Sequence, residues 1–149
     1  MKFYAIVTAL VFTAAASAQS YSNFTNCATG SEFTVESFTI APYPLCIGQT
    51  VCATVTGSLS TEITSSATLS IVGKYLGTIV YTDQYDFCEL MGAQGTPCPI
   101  AATTTSLTAC VTVKSSAVAS IPASDTITIT NGDNKVLLCQ AASLYAVNC

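Results

Sequence analysis

Runs of alternating apolar and polar residues fill most of the chain. Val51, Ala53, Val55, Gly57 and Leu59 alternate with Cys52, Thr54, Thr56 and Ser58. Ala67, Leu69 and Ile71 alternate with Ser66, Thr68 and Ser70, and Leu107, Ala109, Val111 and Val113 with Thr108, Cys110, Thr112 and Lys114. Ile127 and Ile129 sit between Thr126, Thr128 and Thr130. A period of two turns successive side chains to opposite faces, so each run predicts a strand with one buried and one wet face. Turn residues fall between the runs. Pro42 and Pro44 close the first strand, Gly73 and Gly77 bracket Lys74-Tyr75-Leu76, and Asn131-Gly132-Asp133 predicts a hairpin between Thr130 and Val136. No window holds a sustained helical period. The pattern predicts an all-β, immunoglobulin-like sandwich of seven to eight antiparallel strands.

The N-terminus reads differently. Lys2 precedes an apolar run, Ala5 to Phe12, and Ala16-Ser17-Ala18 supplies small residues for cleavage. Residues 1–18 are therefore expected to be a secretory signal peptide, with 19–149 forming one domain. The run is too short to span a bilayer. Eight cysteines, an even number, then predict disulfides formed in an oxidising compartment. A metal site is not expected, since the chain has no histidine and no Cys-x-x-Cys pair. Asn23-Phe24-Thr25 is a glycosylation sequon.

Charge removes several function classes. Lys2 apart, three lysines face eight carboxylates, and arginine is absent. Nucleic acid is not an expected partner, because its binding needs clustered basic residues to displace counterions. Without histidine no Ser-His-Asp or Cys-His nucleophile can be assembled, and no Gly-x-Ser-x-Gly elbow is present. Asp83, Asp86 and Glu89 lie close in sequence, but beside a cysteine loop they read as solvated acids. Neither catalysis nor a cofactor is expected. Half of the residues are hydrophobic, and composition alone does not say whether they fill a core or line a cavity.

Certain motifs carry a family likeness. They are Cys27, then Ile40-Ala41-Pro42-Tyr43-Pro44 leading to Gly48-Gln49, and Ala53 to Gly57. Val72 to Ile79, Tyr85-Asp86-Phe87-Cys88-Glu89, Cys98-Pro99-Ile100 and Leu137-Leu138-Cys139 complete them. In this order they resemble the ML lipid-recognition domain family, most of all the fungal phosphatidylglycerol/phosphatidylinositol transfer proteins. The Niemann–Pick type C cholesterol carrier and the group 2 mite allergens are similar in fold. The resemblance implies disulfides Cys27–Cys139 and Cys88–Cys98. Of the remaining four cysteines, Cys52 and Cys110 share the threonine-rich phase of their strands and could bridge outside the core. Cys46 would then join Cys149. Eight cysteines allow roughly one hundred connectivities, so the last two pairs rest on phase alone.

The resemblance also implies a function: a lipid-binding or transfer protein, secreted or delivered to a vacuolar lumen, carrying one phosphatidylglycerol, phosphatidylinositol or sterol. It would act as a monomer, with transient membrane contact. The apolar slot would lie between the sheets. Its expected lining is Val55, Leu69, Ile71, Ile79, Tyr81, Phe87, Ile100, Val111, Ile127, Ile129 and Leu138, with Lys74, Tyr75 and Tyr85 at the mouth or headgroup. Without the resemblance, each inward aliphatic reads as ordinary core. A secreted interaction or surface protein with a filled sandwich and no cargo is therefore the alternative.

Overall fold

The computed structural model describes residues 19–149; the predicted signal peptide lies outside the described residues. Seven long strands and one of two residues build the two main sheets. The first sheet has the order β1-β9-β8-β5-β6, formed by Thr25–Asn26 (β1), Val136–Leu144 (β9), Ala123–Thr130 (β8), Thr68–Tyr75 (β5) and Thr78–Asp86 (β6). The second has the order β2-β4-β7, formed by Phe33–Ala41, Thr50–Leu59 and Ser106–Thr112. All neighbours within these two sheets are antiparallel. A small parallel pair, Leu45–Cys46 (β3) with Ala146–Val147 (β10), ties the C-terminus to the link between β2 and β4.

The alternating runs land on these strands, and their apolar phase faces the space between the sheets. Leu69, Ile71 and Gly73 of β5 stand opposite Ile129, Ile127 and Asp125 of β8 on one side, and Tyr85, Asp83 and Tyr81 of β6 on the other. In the second sheet Val51, Ala53 and Val55 of β4 pair with Val111, Ala109 and Leu107 of β7. Gly73 marks no turn; it is a strand residue, and the β5–β6 turn falls at Leu76-Gly77, both with positive φ. Gly57 has a structural reason of its own. A Cβ there would lie 2.0 Å from the Thr34 carbonyl oxygen, beside the irregularity between Val35 and Ser37 that bends β2.

One element departs from the expected loop. Phe87–Ala93 forms a short helix, α1, inside the Cys88–Cys98 loop. Asp86 caps it, its carboxylate accepting the Glu89 amide at 2.9 Å. At seven residues the helix is too short to show a period, and its signal reduces to one pair of buried residues four apart, Phe87 and Met91.

All eight cysteines are bonded: Cys27–Cys139, Cys46–Cys149, Cys52–Cys110 and Cys88–Cys98. Cys52 and Cys110 face each other in register on β4 and β7, in the row where the Thr54 and Thr108 hydroxyls meet at 3.0 Å. That bridge joins neighbouring strands of one sheet and leaves the space between the sheets free.

Candidate functional site

The two sheets close on each other at one end and part at the other. At the closed end Val55, Leu69, Phe87, Leu107 and Ile129 are buried. Further along, Ile71 and Ile127 of one sheet and Ala53, Ala109 and Val111 of the other point inward but are only half-buried. Half-burial of inward aliphatics in the middle of a sandwich means that solvent reaches them, which a filled core does not permit. They wall an apolar cavity of ≈ 140 Å³. The space follows from residue size: Ala53 and Ala109 are direct register partners, so the centre of one wall is two methyl groups deep where the flanking pairs are valines and leucine.

The mouth is formed by other segments. Ala117, Val118 and Ile121, from the irregular link between β7 and β8, stand beside Leu45, Leu144, Tyr145 and Ala146. Val118 and Tyr145 are exposed there. Tyr145 stacks edge-on against Tyr43 with ring centroids 5.3 Å apart. The resulting aromatic rim presents apolar rings with polar tips, suited to a boundary between tail and water.

Val55, Leu69, Ile71, Tyr81, Phe87, Val111, Ile127 and Ile129 line this slot, and three expected residues do not. Ile79 is exposed: pairing shifts from Gly73–Tyr81 to Lys74–Ile79, and the extra residue, Val80, turns inward in its place. Ile100 is buried beyond the closed end, bridged to Ile63 by two backbone hydrogen bonds. Leu138 is buried opposite Ile129, on the side where β9 packs against β2; from β9 only Leu144 reaches the slot.

The mouth residues also differ from expectation. Lys74 and Tyr75 lie exposed at the end of the β5–β6 hairpin, outside the lining. Tyr85 donates its hydroxyl to Asp83, which also accepts from Lys114 and from the Gln84 amide. Asp83 is thus no solvated acid: it is 3 % exposed. Its carboxylate joins an edge strand of the first sheet to Lys114, two residues past the end of β7 of the second. Burial alone would raise its pKa, but the Lys114, Tyr85 and Gln84 hydrogen bonds outweigh it and hold the carboxyl below the usual range. Burial and the bond to Asp83 push the Tyr85 hydroxyl upward. Asp86 caps α1 and Glu89 is exposed. Asn23 is exposed.

Sequence reasoning passed over one wall residue of a different kind. Asp125 lines the slot and, among the described residues, is the one carboxyl in its lining. The signal was present, since Asp125 holds the same phase as Ala123, Ile127 and Ile129.

Comparison with known proteins follows the same lines. No curated protein matches the chain by sequence. Among solved structures, a Niemann–Pick type C2 protein from Japanese carpenter ant superposes with a TM-score of 0.63 at 11 % identity, covering 83 % of this chain and 98 % of that one. The C-terminal domain of wzt gives a TM-score of 0.51 at 12 % identity, over 86 % of this chain and 79 % of that one. At these identities both likenesses are of fold alone. The model of the ML domain matches residues 21–146, and with nearly all of the described residues inside that match, the chain belongs to the ML-domain family.

Proposed function

We propose that this protein binds one lipid with its tail between the sheets, and moves it between membranes or hands it to a partner. The observation that carries this reading is the inward apolar wall left half-buried at Ile71, Ile127, Ala53, Ala109 and Val111. Each methylene transferred from water to such a wall gains about 0.8 kcal/mol, so a tail is held without any charged contact. The ML-domain match and the Niemann–Pick type C2 neighbour support a lipid cargo. Phosphatidylglycerol, phosphatidylinositol and a sterol are the candidates. The four disulfides fit a secreted or vacuolar carrier. We read it as a monomer, and as a carrier rather than a catalyst.

Transient membrane contact has a physical candidate in the β5–β6 hairpin. Leu76 is 87 % exposed with φ +48°, at a turn position that favours Asn or Gly, and Ile79 beside it is 58 % exposed. A bulky apolar residue held in that conformation and left in water is costly unless something apolar covers it. Ile79 is next in the chain to the slot-lining Val80.

Incubating delipidated protein with vesicles of mixed phosphatidylglycerol, phosphatidylinositol and ergosterol, then extracting the re-isolated protein, tests the reading. One lipid class recovered near one per chain is expected. Recovery of none would leave the filled-sandwich interaction protein as the better account.

A further inference from the structure

The side chains lining the slot are aliphatic or aromatic except at Asp125, and the fold makes room for that exception. Asp125 sits on β8, in register with Gly73 of β5 and Ala142 of β9. A Cβ on Gly73 would stand 2.6 Å from Asp125 Oδ1 and 3.3 Å from the Tyr81 Cβ. The glycine therefore leaves the carboxylate a berth on the slot side of the sheet, where any larger residue would displace it. Among the described residues no cation pairs with it. On β5 the neighbouring Lys74 is exposed, and the phase of the strand turns it away from the slot. Lys114 is engaged by Asp83. The groups around Asp125 are the phenols of Tyr81 on β6 and Tyr43 in the link between β2 and β3, both raised chiefly by burial and both sensitive to its charge. The Leu144 backbone is the neighbour that favours its charged form.

An unpaired carboxyl in an apolar wall is unfavourable unless a partner completes it. It stands towards the open end: Leu69 and Ile129 are buried at the closed end, and Tyr145 and Val118 are exposed at the mouth. That is where the polar end of an amphiphile would come to rest if its tail filled the closed end. Given the lipid-slot reading, on which this inference rests, we propose that Asp125 is a headgroup subsite. It takes the hydrogen-bond-donating end of an amphiphile, a hydroxyl or an ammonium, and disfavours an anionic phosphate in the same place. Both donors satisfy the carboxyl, whereas a phosphate brings like charge into a poorly solvated site. Burial lifts the Asp125 pKa to about 7.

The test compares three probes with one tail: hexadecan-1-ol, hexadecylamine and hexadecyl phosphate. Each displaces a neutral fluorescent reporter from delipidated protein at pH 8. The native protein is expected to bind at least one of the two donors about tenfold or more tightly than the phosphate. The stronger donor then tells a neutral alcohol from a cation. Asp125→Asn, which keeps the shape and removes the charge, should bring the donor and phosphate affinities within about threefold. Phosphate binding as tightly as both donors to the native protein would overturn the subsite while leaving the lipid slot standing, as would a native-like preference in a folded Asp125→Asn. If none of the three displaces the reporter, the subsite and the lipid slot fall together.

Discussion

Replacing Ala109 with leucine separates a real slot from a filled core by the sign of its effect on stability. Ala109 and its register partner Ala53 form the shallow centre of the β4–β7 wall, facing a cavity of ≈ 140 Å³. Leucine adds three carbons. If they enter empty apolar space, burial at about 0.8 kcal/mol per carbon contributes about 2.4 kcal/mol. Ordering the side chain costs about 0.5–1 kcal/mol. The net gain is about 1.5 kcal/mol, which raises the melting temperature by about 5 °C for a domain of this size. The same three carbons displace about three methylenes of cargo, so lipid affinity should fall about fiftyfold. Differential scanning fluorimetry on delipidated protein reads the first effect, and displacement of a fluorescent lipid reads the second. In a filled core the extra carbons have nowhere to go, and overpacking destabilises by about 1–3 kcal/mol. A lower melting temperature with lipid uptake unchanged would refute the reasoning.

Other perturbations probe the groups around the slot. Lys114→Ala removes the cation from buried Asp83 and should cost about 2 kcal/mol in denaturant unfolding. Asp125 gives a pH signature. Its carboxyl is held near pH 7 against about 3.9 in the unfolded chain, so the folded state keeps a proton the unfolded state has lost, and this group's contribution to stability falls as pH rises from about 4 to 7. Asp125→Asn should therefore melt higher than the native protein at pH 8 and nearly level with it at pH 4. Asp83, held low, acts in the opposite sense: its contribution is present above about pH 4 and lost on further acidification, alike in both proteins. Leu76→Ser should slow lipid transfer between vesicles while leaving equilibrium binding unchanged, because residue 76 lies at the hairpin tip outside the slot. Slower transfer with equally weakened binding would argue against a docking role.

Much of this architecture is legible in the chain because strand alternation is a strong signal wherever one face is buried. The runs at 51–59, 67–71 and 107–113 assign inward and outward faces correctly, and they contain the Ala53 and Ala109 pair that opens the slot. Sequence phase fails where the backbone breaks its period. Val80 turns inward through an irregularity in β6 that no residue type announces, and Ile79 turns outward with it. Helix α1 is too short for a period, and the mouth segment from Ala117 to Ile121 has none to read. Polar residues on the inward phase are the other blind spot. Asp83 and Asp125 resemble surface acids to a count of composition, yet each shares the phase of the inward-facing residues of its own strand. Only the third dimension supplies Lys114 to one and an empty berth over Gly73 to the other.

The central claim is that a lipid tail occupies the space between the sheets. Native mass spectrometry of residues 19–149, secreted from a eukaryotic host and purified without detergent, tests it most directly. The account predicts a single adduct of lipid mass at about one per chain, released on denaturation and reduced on replacing Ala109 with leucine. A bare polypeptide that also takes up nothing from mixed vesicles would contradict it.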